Sequence, residues 1–158
     1  MAHAQAEGRL RRNFQGYTTD PCDTLIGFGA SAIGRLPQGY AQNEVVLGRY
    51  ADRIMQGELA TAKGNCFTAD DRLRAELIER LMCDLAVNVA AVCARHGAAL
   101  DDFAPALERL DTLADEGLVR IEGPRVVVAD HARLLVRTIA SAFDAYLTQS
   151  PRAFSRAV

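Results

Sequence analysis

Leu73, Leu77, Leu81, Leu85 and Val89 recur every four residues, and Ile78 and Met82 widen the stripe. An apolar period of this length predicts one amphipathic helix that must bury its stripe against other elements. Thr68-Ala69-Asp70-Asp71 offers a cap followed by an acidic first turn. The helix is therefore expected to start there and run to about Val92.

The elements that could cover this stripe follow it. Leu100-Asp101-Asp102 opens a second helix, with Phe103, Leu107, Leu110 and Leu113 on its inner side and Gly117 in the place of a C-cap glycine. Residues 118–121 and 125–129 read as two short strands around the turn Glu122-Gly123-Pro124. Asp130 is expected to cap a last helix carrying Leu134, Leu135, Ile139, Phe143 and Tyr146, with Pro151 just beyond it. Helix, helix, hairpin, helix is the order of a winged-helix-like module, which raises the possibility of DNA binding. Charge argues against that function. Residues 101–116 contain Asp101, Asp102, Glu108, Asp111, Asp115 and Glu116 against Arg109 alone, and such a helix is repelled by a polyanion.

Upstream, residues 1–9 read as the end of a short helix closed by Gly8, and residues 11–19 as an extended segment. Asp20-Pro21 turns the chain. Residues 24–34 are small, apolar and punctuated by glycine, the composition of a strand that another backbone or a ligand approaches closely. Residues 44–56 form a predicted helix with Val46, Leu47, Tyr50 and Ile54 on one side, and residues 59–67 an irregular or extended stretch.

With 158 residues there is room for one domain, or for a small domain and part of another. Hydrophobic residues at 49% allow a real core, and a net charge of −2 excludes a broadly basic nucleic-acid coat or polybasic membrane binder. No apolar run approaches a membrane span, and the first residues lack the pattern of a secretory signal. The expected location is the cytoplasm, with neither membrane nor nucleic acid as partner. Of 18 basic residues only Lys63 is lysine, which reads as genomic base composition.

Cys22, Cys66, Cys83 and Cys93 are separated by 44, 17 and 10 residues. No pair forms a metal clip, and Cys93 with His96 supplies two ligands at most. No metal ligand is therefore assigned. The sequence has no nucleophile elbow, phosphate-binding loop or zinc-protease motif. Asp70/Asp71 and Asp101/Asp102 fit first turns of helices better than a catalytic pair, so no catalytic residue is assigned.

One segment points further. Arg12-Asn13-Phe14-Gln15-Gly16-Tyr17-Thr18-Thr19 resembles a motif of the oxygen-independent coproporphyrinogen III oxidases (dehydrogenases), which are radical S-adenosylmethionine enzymes. The likeness continues through Ile26-Gly27-Phe28-Gly29-Ala30-Ser31-Ala32-Ile33 and Tyr40-Ala41-Gln42-Asn43. It resumes at Asp115-Glu116-Gly117-Leu118-Val119, Arg133-Leu134-Leu135-Val136-Arg137, Phe143-Asp144-Ala145-Tyr146-Leu147 and Phe154-Ser155-Arg156. It covers nearly all of the chain in order, and corresponds to the C-terminal third of those enzymes.

The resemblance implies an α+β fold in which terminal elements of a radical-SAM barrel precede a mainly helical, winged-helix-like C-terminal domain. The corresponding divisions are 1–43 for the end of the barrel, 44–67 for a linking helix and extended segment, and 68–158 for a helical cap with its β-hairpin at 118–129. It implies oxidative decarboxylation of coproporphyrinogen III to protoporphyrinogen IX in haem biosynthesis. In the family, a 4Fe–4S cluster cleaves S-adenosylmethionine to a radical that abstracts hydrogen from a propionate, while the protein supplies placement and water exclusion.

By motif position, Phe14, Gln15 and Ile33 would contact S-adenosylmethionine. Arg11, Arg12 and Arg35 flank the motifs and are the speculative propionate contacts, because arginine forks suit carboxylates. The Cys-x-x-x-Cys-x-x-Cys that holds the family's cluster is absent from this sequence. The expectation is a piece of a longer enzyme that lacks its N-terminal barrel, binds neither cofactor stably alone and is inactive alone. The alternatives are a non-enzymatic tetrapyrrole- or protein-binding module and a winged-helix DNA binder.

Overall fold

The computed structural model describes residues 1–147. Pro151 and the Phe154-Ser155-Arg156 stretch lie outside the described residues. Helix α1 (Ala2–Ala6) is followed by strands β1 (Arg11–Asn13) and β2 (Gly16–Thr18), paired antiparallel with Arg11 opposite Thr18. The segment expected to be extended over 11–19 thus folds back on itself. The turn at Phe14-Gln15 closes through Gly16 at φ +130°, a conformation that side chains resist.

Strands β3 (Ile33–Leu36) and β4 (Gly39–Asn43), then helix α2 (Leu47–Met55) and strand β5 (Thr61–Cys66), complete the N-terminal part. The three strands form one antiparallel sheet in the order β3-β4-β5. The extended stretch expected over 59–67 is the third strand of this sheet. The strand expected over 24–34 is not found. Residues 26–32 are irregular, and only a bridge between Leu25 and Arg35 joins that segment to β3. Its small residues still serve close approach, since a Cβ on Gly34 would lie 2.9 Å from the Leu25 carbonyl oxygen. Helix α2 is shorter than the predicted 44–56, and no residue in it is buried.

Helix α3 (Ala69–Asp84) starts where the sequence indicates. Thr68 Oγ1 accepts from the Asp71 amide at 3.0 Å, and the Asp71 carboxylate accepts from the Thr68 amide at 2.8 Å, a closed capping box. The predicted run to Val92 is interrupted. Leu85 adopts φ +59°, strand β6 (Ala86–Asn88) follows, and helix α4 (Val89–His96) begins afresh with Asn88 as its cap. A left-handed leucine costs roughly 1–2 kcal/mol. Pairing of β6 in a sheet, burial of Val87 and a hydrogen bond from the Val128 amide to the Leu85 carbonyl at 2.8 Å accompany it.

A 3₁₀ turn (Leu100–Phe103) leads into helix α5 (Ala104–Asp115), which ends ahead of Gly117. Strands β7 (Val119–Glu122) and β8 (Arg125–Val128) make the predicted hairpin, and the sheet order is β6-β8-β7. The predicted last helix is instead a 3₁₀ turn (Asp130–Leu135), a short helix α6 (Val136–Ala140) and another 3₁₀ turn (Ser141–Phe143). Asp130 makes no side-chain cap bond. Leu134, expected inside, is 94% exposed, and Leu135 is also exposed, because the 3₁₀ repeat of three moves them off the inward face; Tyr146, exposed as well, lies past the last helical turn. Ile139 and Phe143 are buried as expected, and Ala132 and Val136 are buried with them. One core joins α3, α4, α5, α6 and the β6-β8-β7 sheet, with Leu77, Leu81, Leu110, Val126, Ile139 and Phe143 at its centre.

Candidate functional site

The β1–β2 hairpin is clamped onto the C-terminal half of α3. Glu79 accepts from Arg11 Nε at 3.1 Å and from the Arg12 amide at 3.2 Å. Tyr17 donates its hydroxyl to the Met82 carbonyl at 3.1 Å, and Arg80 donates to the Leu10 carbonyl at 3.2 Å. Gln5 from α1 donates to the Cys83 carbonyl at 2.6 Å. Each of these uses a backbone or side-chain group on the outer face of α3, so the N-terminal residues hold a fixed place against the helical core.

Across from the hairpin stands the β3-β4-β5 sheet. Tyr40 on β4 is the register partner of Arg35 on β3, so the two side chains share a sheet face. Ile33 lies two residues from Arg35 and faces the same way. Phe14, at the hairpin tip, meets Tyr40 edge-on with ring centroids 5.0 Å apart. Tyr40 meets Phe67 at 4.7 Å, and the Arg72 guanidinium sits 5.4 Å over the Phe67 ring. An aromatic ladder therefore runs from the hairpin tip to the start of α3.

Between hairpin and sheet lies a cleft of about 420 Å³ with Arg11, Arg12, Phe14, Arg35, Tyr40 and Arg137 among its lining. It adjoins a larger lobe of about 1050 Å³ that shares Arg11, Arg12, Arg35 and Tyr40. Thus four of the six residues singled out from the sequence meet in one place. Gln15 and Ile33 do not line the cleft. Gln15 is exposed in the hairpin turn, where its amide donates to Asn13 Oδ1 at 2.8 Å, and Ile33 is half-buried in β3.

The arginines are not equivalent. Arg11 is engaged by Glu79 and by Asp23 Oδ1 at 2.9 Å. Burial alone lowers its pKa, but these two carboxylates outweigh burial and leave it raised. Arg12 and Arg35 have no carboxylate partner among the described residues. Sequence reasoning missed Tyr40 and Arg137. Both stood inside quoted motifs without a role, and nothing in the sequence connects Arg137 to the hairpin.

The cysteines do not fit an iron–sulfur cluster. Cys22 and Cys66 are exposed, while Cys83 and Cys93 are buried in the core. Burial pushes the Cys83 thiol up to about 11 and raises Cys93 as well, opposing the thiolate form a cluster needs. His96 faces Glu76 Oε2 at 2.7 Å while Cys93 points inward, so the i, i+3 pair is split. Among the described residues no three His, Cys, Asp or Glu side chains are grouped to hold a metal.

Residues 67–135 match the HemN C-terminal domain. The architecture and the match agree on a class: a chain that contains this domain preceded by a clamped hairpin and a small antiparallel sheet. The relatives are oxygen-independent coproporphyrinogen III oxidases. That of Bradyrhizobium diazoefficiens is 54% identical over 158 residues, covering 100% of this chain and 35% of that protein. That of Salmonella typhimurium is 40% identical, covering 100% of this chain and 35% of that protein. The solved coproporphyrinogen III oxidase (HemN) of Escherichia coli, a radical SAM enzyme, superposes with a TM-score of 0.87 at 37% identity over 92% of this chain and 34% of that one. The resemblance carried by the Phe-Gln-Gly-Tyr-Thr-Thr motif therefore holds along the chain, which spans about a third of the length of these relatives.

Proposed function

We propose that this chain acts as the C-terminal part of an oxygen-independent coproporphyrinogen III oxidase, the enzyme class that converts coproporphyrinogen III to protoporphyrinogen IX. The observation that carries the reading is the shared cleft. Arg12 and Phe14 from the β1–β2 hairpin meet Arg35 from β3 there, and a carboxylate-bearing ring needs both forked cations and an aromatic wall. In this reading Phe14, Gln15 and Ile33 face S-adenosylmethionine, Arg12 and Arg35 hold propionates, and Arg11 fixes the hairpin. The cluster and its radical chemistry are assigned to the remainder of such an enzyme. The chain contributes walls, anion contacts and exclusion of water.

The division into 1–43, 44–67 and 68–158 belongs to the same proposal. The order α3-β6-α4-α5-β7-β8, with the sheet order β6-β8-β7, supports a winged-helix-like cap for its last part. Asp101, Asp102, Glu108, Asp111, Asp115 and Glu116 are all exposed, which supports a role without nucleic acid. All four cysteines are free, in keeping with the reducing cytoplasm. Among the described residues no helix is long and apolar enough to cross a membrane.

The test is a chimera. The Bradyrhizobium relative with its matching segment replaced by this chain should form protoporphyrinogen IX anaerobically with S-adenosylmethionine and a reductant. A folded, cluster-bearing chimera without turnover counts against the reading. The isolated chain, treated with iron and sulfide, should acquire no cluster absorbance and no activity. A stable cluster on it would reverse the second half of the proposal.

A further inference from the structure

Three arginines, at positions 12, 35 and 137, reach the same 420 Å³ cleft from β1, β3 and α6. The carboxylates that line this cleft are Asp20, Asp23 and Glu79. Asp23 and Glu79 hold Arg11, and Glu79 also accepts from the Arg12 amide. Asp20 Oδ1 accepts from the Cys22 amide at 2.9 Å. None of the three forms an ion pair with the side chain of Arg12, Arg35 or Arg137 among the described residues. Some arginines elsewhere are paired, as Arg74 with Asp70 and Arg80 with Asp84, while others such as Arg49 and Arg133 are not among the described residues; what sets these three apart is that they share one cleft.

The lining sets Arg11, Arg12, Arg35 and Arg137 against Asp20, Asp23 and Glu79, a net charge of +1, and an anion placed among the three arginines without ion pairs lowers their mutual repulsion. The cleft also presents Phe14 and Tyr40, whose rings meet edge-on, so it offers aromatic surface between the charges. Together these features suit a ring molecule with carboxylates at its periphery.

We propose that Arg137 is a substrate-binding residue, which with Arg12 and Arg35 makes a carboxylate-binding triad for a ring-shaped polycarboxylate packed against Tyr40. The inference rests on the tetrapyrrole reading above for the identity of its ligand, but not for the site itself. It also assigns a purpose to α6: the short helix supplies Arg137 to the cleft lining.

The experiment is calorimetric titration of the whole chain with two probes, coproporphyrin III and benzene-1,3,5-tricarboxylate. Wild type is compared with R12Q, R35Q, R137Q, R137K and the control R133Q, which alters an exposed arginine outside the cleft. Loss of one forked contact should weaken binding about ten-fold or more. R137K, which keeps charge but loses the fork, should fall between wild type and R137Q, and R133Q should match wild type. If coproporphyrin III binds R137Q as well as wild type, the triad is overturned and the tetrapyrrole reading stands. If the small tricarboxylate binds through Arg137 and coproporphyrin III does not bind, the triad stands and the tetrapyrrole reading falls. If neither probe binds wild type, the triad is overturned, and the chimera assay decides the enzymatic reading separately.

Discussion

Position 79 distinguishes two arginines that are adjacent in sequence. Its carboxylate takes the Arg11 side chain but only the backbone of Arg12, leaving the second guanidinium available to a ligand. E79Q should loosen the hairpin and lower stability by about 1–2 kcal/mol in urea unfolding. A smaller change would mean the hairpin is held mainly by Tyr17 and Arg80. Nothing near residue 11 announces this difference, because Glu79 is 68 positions away from it; the two arginines read as equals in sequence. Phe14 was singled out through its motif and Arg35 as a residue flanking one, and both line the cleft. Arg137 was not singled out, since its part in the cleft depends on the packing of α6. Among the cysteines, burial keeps Cys83 and Cys93 neutral at pH 8, while Cys22 and Cys66 are open to solvent. A disulfide reagent should therefore titrate two thiols in the native chain at that pH and all four after unfolding. Rapid native reaction of a third would show that the core opens readily.

Helix α3 illustrates both what periodicity reveals and what it hides. Its start follows from a four-residue cap signal, and T68A should cost about 1 kcal/mol by removing one side of the capping box. Asp71 is held below the ordinary carboxylate range, first by the Thr68 amide and further by the Tyr146 hydroxyl at 2.8 Å. A depressed carboxyl stabilises the fold above its unfolded pKa, near 4, and that contribution disappears as pH falls through the lower folded value. D71N should accordingly destabilise the chain at pH 7 and flatten the loss of stability below about pH 4. An unchanged acid profile in D71N would remove this role. The end of the helix was not legible, because Leu81, Leu85 and Val89 keep their spacing across a break. All three contact the same core, with Leu85 only partly buried, so the pattern records burial rather than continuous helix. The 3₁₀ turns of the last segment defeat the reading for a related reason: a period of three gradually displaces residues chosen on a period near four. In the first hairpin a single glycine at positive φ reverses what otherwise reads as one extended strand.

For the molecule as a whole, the sequence pattern supports the α+β class and the helical core, while the first 67 residues are less predictable because their sheet is made from strands of three to six residues. That part also leaves large apolar side chains uncovered. Phe28 is 89% exposed and Leu59 85% exposed, and Ile26, Val46, Leu47 and Met55 are exposed as well. Surfaces of this kind belong at interfaces. Asn43 Nδ2 donates to the carbonyls of Gly27 and Gly29, both at 3.0 Å, and the Gly29 amide donates to the Tyr50 hydroxyl at 3.2 Å. Phe28 is thus presented on a tied loop. The isolated chain should self-associate in sizing columns, and F28S with L59S should shift it toward monomer without lowering the melting temperature. A wild-type chain already monomeric at high concentration would remove the interface argument. The rim of the cleft has a further consequence for biosynthesis of the polypeptide. Position 12 emerges from the ribosome 125 residues ahead of position 137, an interval of roughly 6–25 s at ordinary elongation rates. Under the triad proposal, a polycarboxylate meeting the nascent chain in that interval finds at most two of the three clasps, and capture waits for the emergence of α6.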